Sequence, residues 1–438
     1  MAKLKLITFG CQANEADSEK IAGVLAQEGF ELTETAEEAD LILLNTCSIR
    51  EKAEQKVYSL LGTFQKLKTQ NPQLKIGLCG CLAQRDGVRL KDRFPYLDLV
   101  AGPGALIYRI PEILKGGTAY PVLPRPKEPL PLYVHSPRPR RGSTFKAWVS
   151  IMEGCNYFCT FCVVPYTRGP ERSRPPEDIL AEVQELLQQG YKEITLLGQT
   201  VNAYGKNLKP RTQFAHLLRA IDAVAGGEIR VRFTSSHPRD FTPDLIEAVA
   251  GLKSVCEHVH LPVQAGSDSV LRRMRRLYTR EEYRAKVCAL RRAVPDVALS
   301  TDLIVGFPGE REEDFQETLT LLQEVRFDSI YAFKYSPRPL TPAAAYPDQI
   351  SEEIKTERLN ILLRLQGEIA LEQNRRRLGK IEEVLVEGGP NSKMGSSASG
   401  RTRRNQLVHF SQEFFVPGDT VFALITEAYS HYLKGKSP

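Results

Sequence analysis

GCNYFCTFCVVPYTRG, residues 154–169, follows directly on the apolar run Ala147–Met152 and sets three cysteines in one loop. Cys155, Cys159 and Cys162 are separated by three and then two residues. Thiolates are the preferred ligands of iron–sulfur clusters, and close spacing lets one loop wrap a cluster. With no fourth cysteine nearby, one iron of a four-iron cluster stays open to a substrate or cofactor. A structural zinc site usually takes four ligands in paired gaps, and no matching second pair occurs here.

Outward from this loop, Phe145 to Ser336 alternates short apolar runs with amphipathic stretches. The pattern predicts strands at Ala147–Met152, Glu193–Leu197, Ile229–Ser235, His258–Val263, Val297–Val305 and Ser329–Tyr335. Between them fall helices such as Pro176–Gln189, Asp244–Ala250, Arg280–Ala293 and Glu310–Val325. Six such units imply a partial (β/α)6 barrel, with a wound open sheet as the competing arrangement. Either scaffold places its chemistry at the carboxyl ends of its strands.

The first 120 residues alternate in the same way. Lys3–Phe9, Leu41–Asn45 and Lys75–Leu78 read as strands, and Glu15–Glu28 and Arg50–Lys68 as helices. An open parallel α/β sheet with covered faces is expected. Cys11, Cys47 and Cys81 each sit just past a predicted strand end, so all three fall on one rim and can converge on a second cluster. Cys79 lies inside the apolar run and reads as core, as do the isolated Cys256 and Cys288.

Residues 121–142, PVLPRPKEPLPLYVHSPRPRRG, hold seven prolines between Pro121 and Pro139 and read as a linker. After a long charged helix over Ser351–Leu378, the runs Glu382–Glu387, Leu407–Phe410 and Thr420–Ala428 predict a small β-barrel. NSKMGSSASGRTRRNQ, residues 391–406, is expected to be an exposed loop. The implied division is 1–120, the linker 121–142, 143–372 and 373–438.

The net charge of +6 is modest for 438 residues, and its placement matters more than its size. Lys393, Arg401, Arg403 and Arg404 form a basic patch suited to tracking an RNA backbone. Arg168, Arg172 and Arg174 read either as local salt bridges or as phosphate contacts. No run approaches 18 apolar residues, so no membrane span is expected. The start, MAKLKLITFGCQ, reads as a first strand rather than a signal peptide. A reducing cytoplasm is therefore expected, with the nine cysteines serving as ligands or core residues rather than disulfides.

The C-x3-C-x2-C loop after the first strand of a six-unit barrel resembles the radical-SAM superfamily. The resemblance implies a [4Fe-4S] cluster on Cys155, Cys159 and Cys162 whose open iron chelates S-adenosyl-L-methionine. Reductive cleavage of that cofactor then releases a 5′-deoxyadenosyl radical. By position, the strand-end motifs LLGQTVNAYG (196–205), RFTSSHP (232–238), HLPVQAGS (260–267) and STDLIVGFPGE (300–310) offer cofactor contacts. The residues they supply are Gln199, Asn202, Ser235, Gln264 and Asp302, and the Gly306–Gly309 turn would let backbone approach the adenine.

GCQAN (10–14), NTCSIREKAEQK (45–56) and GCLAQ (80–84) resemble the amino-terminal domain of the methylthiotransferase family. That family runs from this domain through a radical-SAM core to a small nucleic-acid-binding barrel called TRAM, which GRTRRNQLVHF (400–410) resembles. The likeness covers nearly the whole chain and implies a second [4Fe-4S] cluster on Cys11, Cys47 and Cys81. NTCSIREKAEQKVYSLLG and LPVQAGSDSVLRRMRRLYTREEY are most similar to the branch that adds a methylthio group to carbon 2 of N6-dimethylallyladenosine. This implies a tRNA anticodon stem-loop as partner and an electron donor such as flavodoxin or ferredoxin. One S-adenosylmethionine would methylate sulfur at the amino-terminal cluster, and a second would furnish the radical. Branches acting on threonylcarbamoyl-adenosine in tRNA or on a ribosomal-protein aspartate remain alternatives, as does a non-catalytic two-cluster electron carrier.

Overall fold

Alternation of strand and helix begins at the second residue. The computed structural model describes residues 1–47, 51–115, 138–390, 396–411 and 415–438, with backbone alone at 51–53, 88, 105, 106 and 108. The first unit comprises β1 (Ala2–Thr8), α1 (Gln12–Gln27), β2 (Phe30–Leu32), β3 (Leu41–Thr46), α2 (Glu51–Gln70), β4 (Lys75–Gly80), α3 (Cys81–Asp86), α4 (Val88–Arg93), β5 (Leu99–Ala101) and α5 (Ile110–Leu114). Its strands are parallel in the order β2-β1-β3-β4-β5. Periodicity does not single out β2 and β5, because three residues are too few to show a period. LILLNT in β3 is buried throughout, since helices cover both faces. Ile42 and Leu44 pack on Val57, Leu61 and Phe64 of α2, while Leu41 and Leu43 face Ile21, Val24 and Leu25 of α1. Strand order reverses between β1 and β3, which opens a crevice at their carboxyl ends.

The central unit holds β6 (Lys146–Ser150), a short ladder of β7 (Met152–Glu153) with β8 (Arg172–Ser173), α6 (Val164–Thr167), α7 (Pro176–Gln188), β9 (Glu193–Leu197), α8 (Phe214–Ala225), β10 (Arg230–Phe233) and α9 (Pro243–Gly251). It continues through β11 (His258–His260), α10 (Asp268–Arg273), α11 (Arg280–Ala293), β12 (Ala298–Val305), α12 (Glu312–Val325) and β13 (Ser329–Lys334). Two parallel sheets, β6-β9-β10 and β11-β12-β13, join through a bridge between Val231 and Val255. Val231 N donates to Ser254 O at 2.7 Å and Cys256 N to Val231 O at 3.0 Å, which carries the curvature across the join. Among the described residues β6 and β13 do not pair, so the six strands form a partial barrel with one open side. One face of the strands packs with the surrounding helices in a single large core.

Cys288 departs from the expectation of a core residue, for it is exposed. The buried stripe of α11 is Tyr283, Val287 and Leu290, and Cys288 falls off that stripe. The predicted long helix is α13 (Glu352–Arg375), capped by the Ser351 hydroxyl accepting from Ile354 N. It lies along β13, with Leu362 and Ile369 in the central core.

The last unit is a closed barrel of β14 (Ile381–Gly388), β15 (Ala398–Thr402), β16 (Leu407–Phe410), β17 (Thr420–Ala428) and β18 (Leu433–Lys436). The exposed loop expected over 391–406 is corrected here, because Ala398–Thr402 within it is β15. Ala398, Gly400 and Thr402 turn inward and Ser399 and Arg401 outward. A side chain on Gly400 would overlap the Leu385 carbonyl oxygen. Close strand approach therefore demands small residues, and Gly and Ser carry no strand signal of their own. Lys393 lies outside the described residues, as does most of the proline-rich segment.

Candidate cluster and cofactor site

Three glycine–cysteine pairs organise the site, and each glycine is dictated by space. Gly10, Gly80 and Gly154 all have positive φ, at 137°, 93° and 78°. A Cβ on Gly10 would lie 2.5 Å from the Cys47 Cβ, one on Gly80 would strike the Thr46 carbonyl oxygen, and one on Gly154 the Pro170 carbonyl oxygen. Each turn swings its cysteine off the strand end. Gly154→Ala is expected to strip iron from the central loop, because the backbone strain alone is about 1–3 kcal/mol and the overlap adds to it. Gly226→Ala is the control, with φ of 59° but nothing within 4 Å. Iron analysis after anaerobic reconstitution reads the result, and full iron in Gly154→Ala refutes the steric account.

In the amino-terminal crevice, Cys11 caps α1 and Cys81 opens α3. Asn14 and Asn45, which the sequence did not single out, hold this rim together. Asn14 Nδ2 donates to Asn45 Oδ1 at 3.3 Å, and Asn45 Nδ2 donates to Asn14 O at 2.8 Å and Ser18 Oγ at 2.9 Å. A hydrogen bond from Cys47 lowers the Cys11 thiol to about 6 against its burial, with help from Arg168. Burial raises Cys81, which Arg168 and Cys11 also face. The three thiols thus share one pocket with one guanidinium. Cys79 points away, into the core with Leu41, Leu43 and Leu99, and burial pushes it up to about 12.

Arg168, from the turn after the central cysteines, reaches across the domain boundary to Asp17 at 2.7 Å, both side chains buried. Arg172 pairs with Glu153 at 3.4 Å and Arg174 with Glu182, so all three arginines serve salt bridges. Lys20 Nζ donates to Ser150 Oγ at 3.1 Å, and Arg338 meets Glu54 at 3.6 Å. These contacts seat the first unit over the carboxyl ends of the barrel strands. Both cysteine trios therefore face the same mouth.

Within the central loop, Cys155 Sγ lies 3.4 Å from Thr200 Oγ1, and Arg276 Nη1 donates to Cys159 Sγ at 3.5 Å. Burial pushes Cys162 up to about 12, and the neighbouring Cys159 raises it further. Three thiolates here would repel one another unless positive charge sat between them, which a metal cluster provides. Among the described residues no three Cys, His, Asp or Glu side chains stand close enough to share a single ion. All nine cysteines are unbridged. Both trios fit the clusters that the sequence implies.

The other expected residues sit on or just past the barrel strands. Gln199 Oε1 accepts from Gly154 N at 2.6 Å, steadying the cysteine loop. Asn202 is buried and bridges His237 N and O at 2.8 and 2.9 Å. Ser235 and Gln264 adopt left-handed backbone with φ of 62° and 76°, a strain that proteins retain where function needs it. Asp302 lies 3.4 Å from His260 Nε2. The Gly306–Gly309 turn meets protein rather than open space, since side chains there would strike Lys355 and Asp348.

The basic tail is occupied differently. Arg403 forks onto Glu257 at 3.0 Å, and Arg404 lies 3.8 Å from both Asp296 and Asp328. Arg401 is half-exposed, with Glu387 at 3.4 Å. From the core, Arg230 pairs with Glu383 at 2.7 Å. Arg232 donates to Glu193 and to the carbonyls of Thr402 and Arg403, each at 2.8 Å. This seam docks the small barrel at the amino ends of the partial-barrel strands.

A partial barrel with a three-cysteine loop after its first strand defines a radical-SAM protein. Residues 149–322 match the radical SAM superfamily, residues 3–102 the uncharacterized protein family UPF0004, and residues 375–437 the TRAM domain. The fold is similar to that of the radical S-adenosylmethionine methyltransferase TsrM from Kitasatospora setae, with a TM-score of 0.58 and 15% identity over 91% of this chain and 82% of that one. The tRNA-2-methylthio-N(6)-dimethylallyladenosine synthase of Desulforamulus reducens is 49% identical over 99% of this chain and 95% of its own length. The protein of the same name from Pelotomaculum thermopropionicum is 46% identical over 99% and 97%. The chain belongs to the tRNA-2-methylthio-N(6)-dimethylallyladenosine synthase family.

Proposed function

We propose that the chain transfers a methylthio group to carbon 2 of N6-dimethylallyladenosine beside the anticodon of tRNA. In this reading Cys155, Cys159 and Cys162 hold one [4Fe-4S] cluster, and Cys11, Cys47 and Cys81 the other. The observation that carries it is the shared mouth, where two cysteine trios on separate units are pinned together by the buried Arg168–Asp17 pair. Bound S-adenosylmethionine supplies a carbon radical at one trio and a methyl group at the other.

The chain's own part is to hold and enclose. Gln199 fixes the cysteine loop, Arg276 sets a positive charge beside Cys159, and Asn202 joins the second strand end to the third. Ser235, Gln264 and Asp302 are the proposed cofactor contacts. Arg401, Arg403 and Arg404, with Lys393, are kept as the proposed RNA-facing patch, and of the three arginines Arg401 has the most exposed side chain. The three family matches support the division at 1–120, 121–142, 143–372 and 373–438. Among the described residues no helix is long and apolar enough to cross a membrane. The unbridged thiols suit a reducing cytoplasm, where flavodoxin or ferredoxin would deliver the electron.

Mass spectrometry of tRNA nucleosides tests the substrate. A strain lacking the gene is expected to accumulate dimethylallyladenosine and to lose its methylthio derivative, restored by the parent gene. Persistence of the methylthio nucleoside would refute the assignment.

A further inference from the structure

β13 is the last strand of the partial barrel and borders its open side. Its residues alternate cleanly. Ile330 and Ala332 pack with the helices in the central core, whereas Tyr331 and Phe333 turn the other way and are 52% and 44% exposed. β12 alternates with it: Leu303 and Val305 belong to the helix-side core, and Asp302 pairs in register with Tyr331. The exposed rings therefore stand on the lumen face, together with Asp302.

Two residues on one face of a strand are about 6.6–6.8 Å apart, and aromatic bases stack at about 3.4 Å. Side chains rise roughly perpendicular from a sheet, so one flat heterocycle fits between the two rings. The surroundings suit a nucleobase better than an aliphatic peptide. The His260 ring meets Tyr331 edge-on at 5.7 Å, its Nδ1 lies 2.9 Å from Ser300 Oγ and its Nε2 3.4 Å from Asp302. Hydrogen-bonding groups thus border the slot.

We propose that Tyr331 and Phe333 grip an unstacked, N6-alkylated purine of the RNA substrate between their rings. This rests on the tRNA reading above and adds the residues that would hold the base.

The test uses cluster-loaded enzyme and two anticodon stem-loop RNAs, one with N6-dimethylallyladenosine at the target position to read affinity and product, the other with 2-aminopurine there, whose fluorescence falls on stacking. Tyr331→Ala and Phe333→Ala are each expected to weaken binding roughly tenfold and to relieve the quenching. Tyr331→Phe and Phe333→Tyr, which keep a ring, are expected to restore both. Iron content and melting temperature matching the parent establish that each variant is folded. Alanine variants that bind and quench like the parent overturn the slot, and so does failure of the ring-keeping variants to rescue. A parent enzyme that neither binds the dimethylallyladenosine RNA nor forms the methylthio product from it defeats the tRNA reading itself.

Discussion

Replacing Cys81 by alanine is expected to lower anaerobically reconstituted iron from about eight to about four per chain, while Cys79→Ala keeps the full complement. The two cysteines are two residues apart in one chain segment and are both buried. What separates them is the end of β4. Cys79 is still on the strand, with its side chain among Leu41, Leu43 and Leu99. At Gly80 the backbone turns left-handed, and Cys81 begins α3 beside Cys11 and Arg168. Removing the Cys79 thiol vacates a small apolar space, at a stability cost of about 1 kcal/mol. Removing Cys81 deletes one corner of the proposed cluster. Equal iron loss in both variants, or loss confined to Cys79→Ala, would overturn the ligand assignment.

Arg168→Ala is the second large effect. The guanidinium is buried, ion-paired to buried Asp17 at 2.7 Å, and placed in the field of Cys11, Cys81 and Glu153. Removing one member of a buried pair leaves the other charge uncompensated, which typically destabilises by about 3–5 kcal/mol. Here the pair crosses between two units, so the loss falls on their docking. The variant is expected to show early release of the amino-terminal unit by limited proteolysis, together with weakened iron at the amino-terminal trio. Asp17→Asn with Arg168→Gln removes both charges and is expected to recover part of the stability. A single Arg168→Ala that melts with the parent and resists protease equally well would show that the pair does not hold the units together.

Much of the fold was legible because its signals are local. Apolar runs that are buried on both faces mark β3 and β4 directly, and β9 and α11 agree residue for residue with the pattern in the sequence. β15 was missed because its inward residues, Ala398, Gly400 and Thr402, are small for steric reasons that arise only from neighbouring strands. Cys288 was misplaced because one apolar letter on a helix does not reveal which face it takes. The six cysteines proposed as ligands stand out in the sequence through their spacing and their position after strands, and the preceding glycines carried the same signal unread.

The residues that brace the site left no such trace. Asn14 and Asn45 meet across thirty-one positions of sequence at the switch between β1 and β3. Arg168 finds Asp17, and Arg403 finds Glu257, only when separate units dock.

By itself the sequence determined the order of three units and the class of each, and it singled out the six thiols proposed as ligands, because period and spacing are local properties of a chain. Tertiary structure alone decided that the two trios share one mouth and that most tail arginines join units. It also decided that Tyr331 and Phe333 stand bare in the lumen. Those facts depend on which distant surfaces exclude water together, and no stretch of chain encodes that on its own.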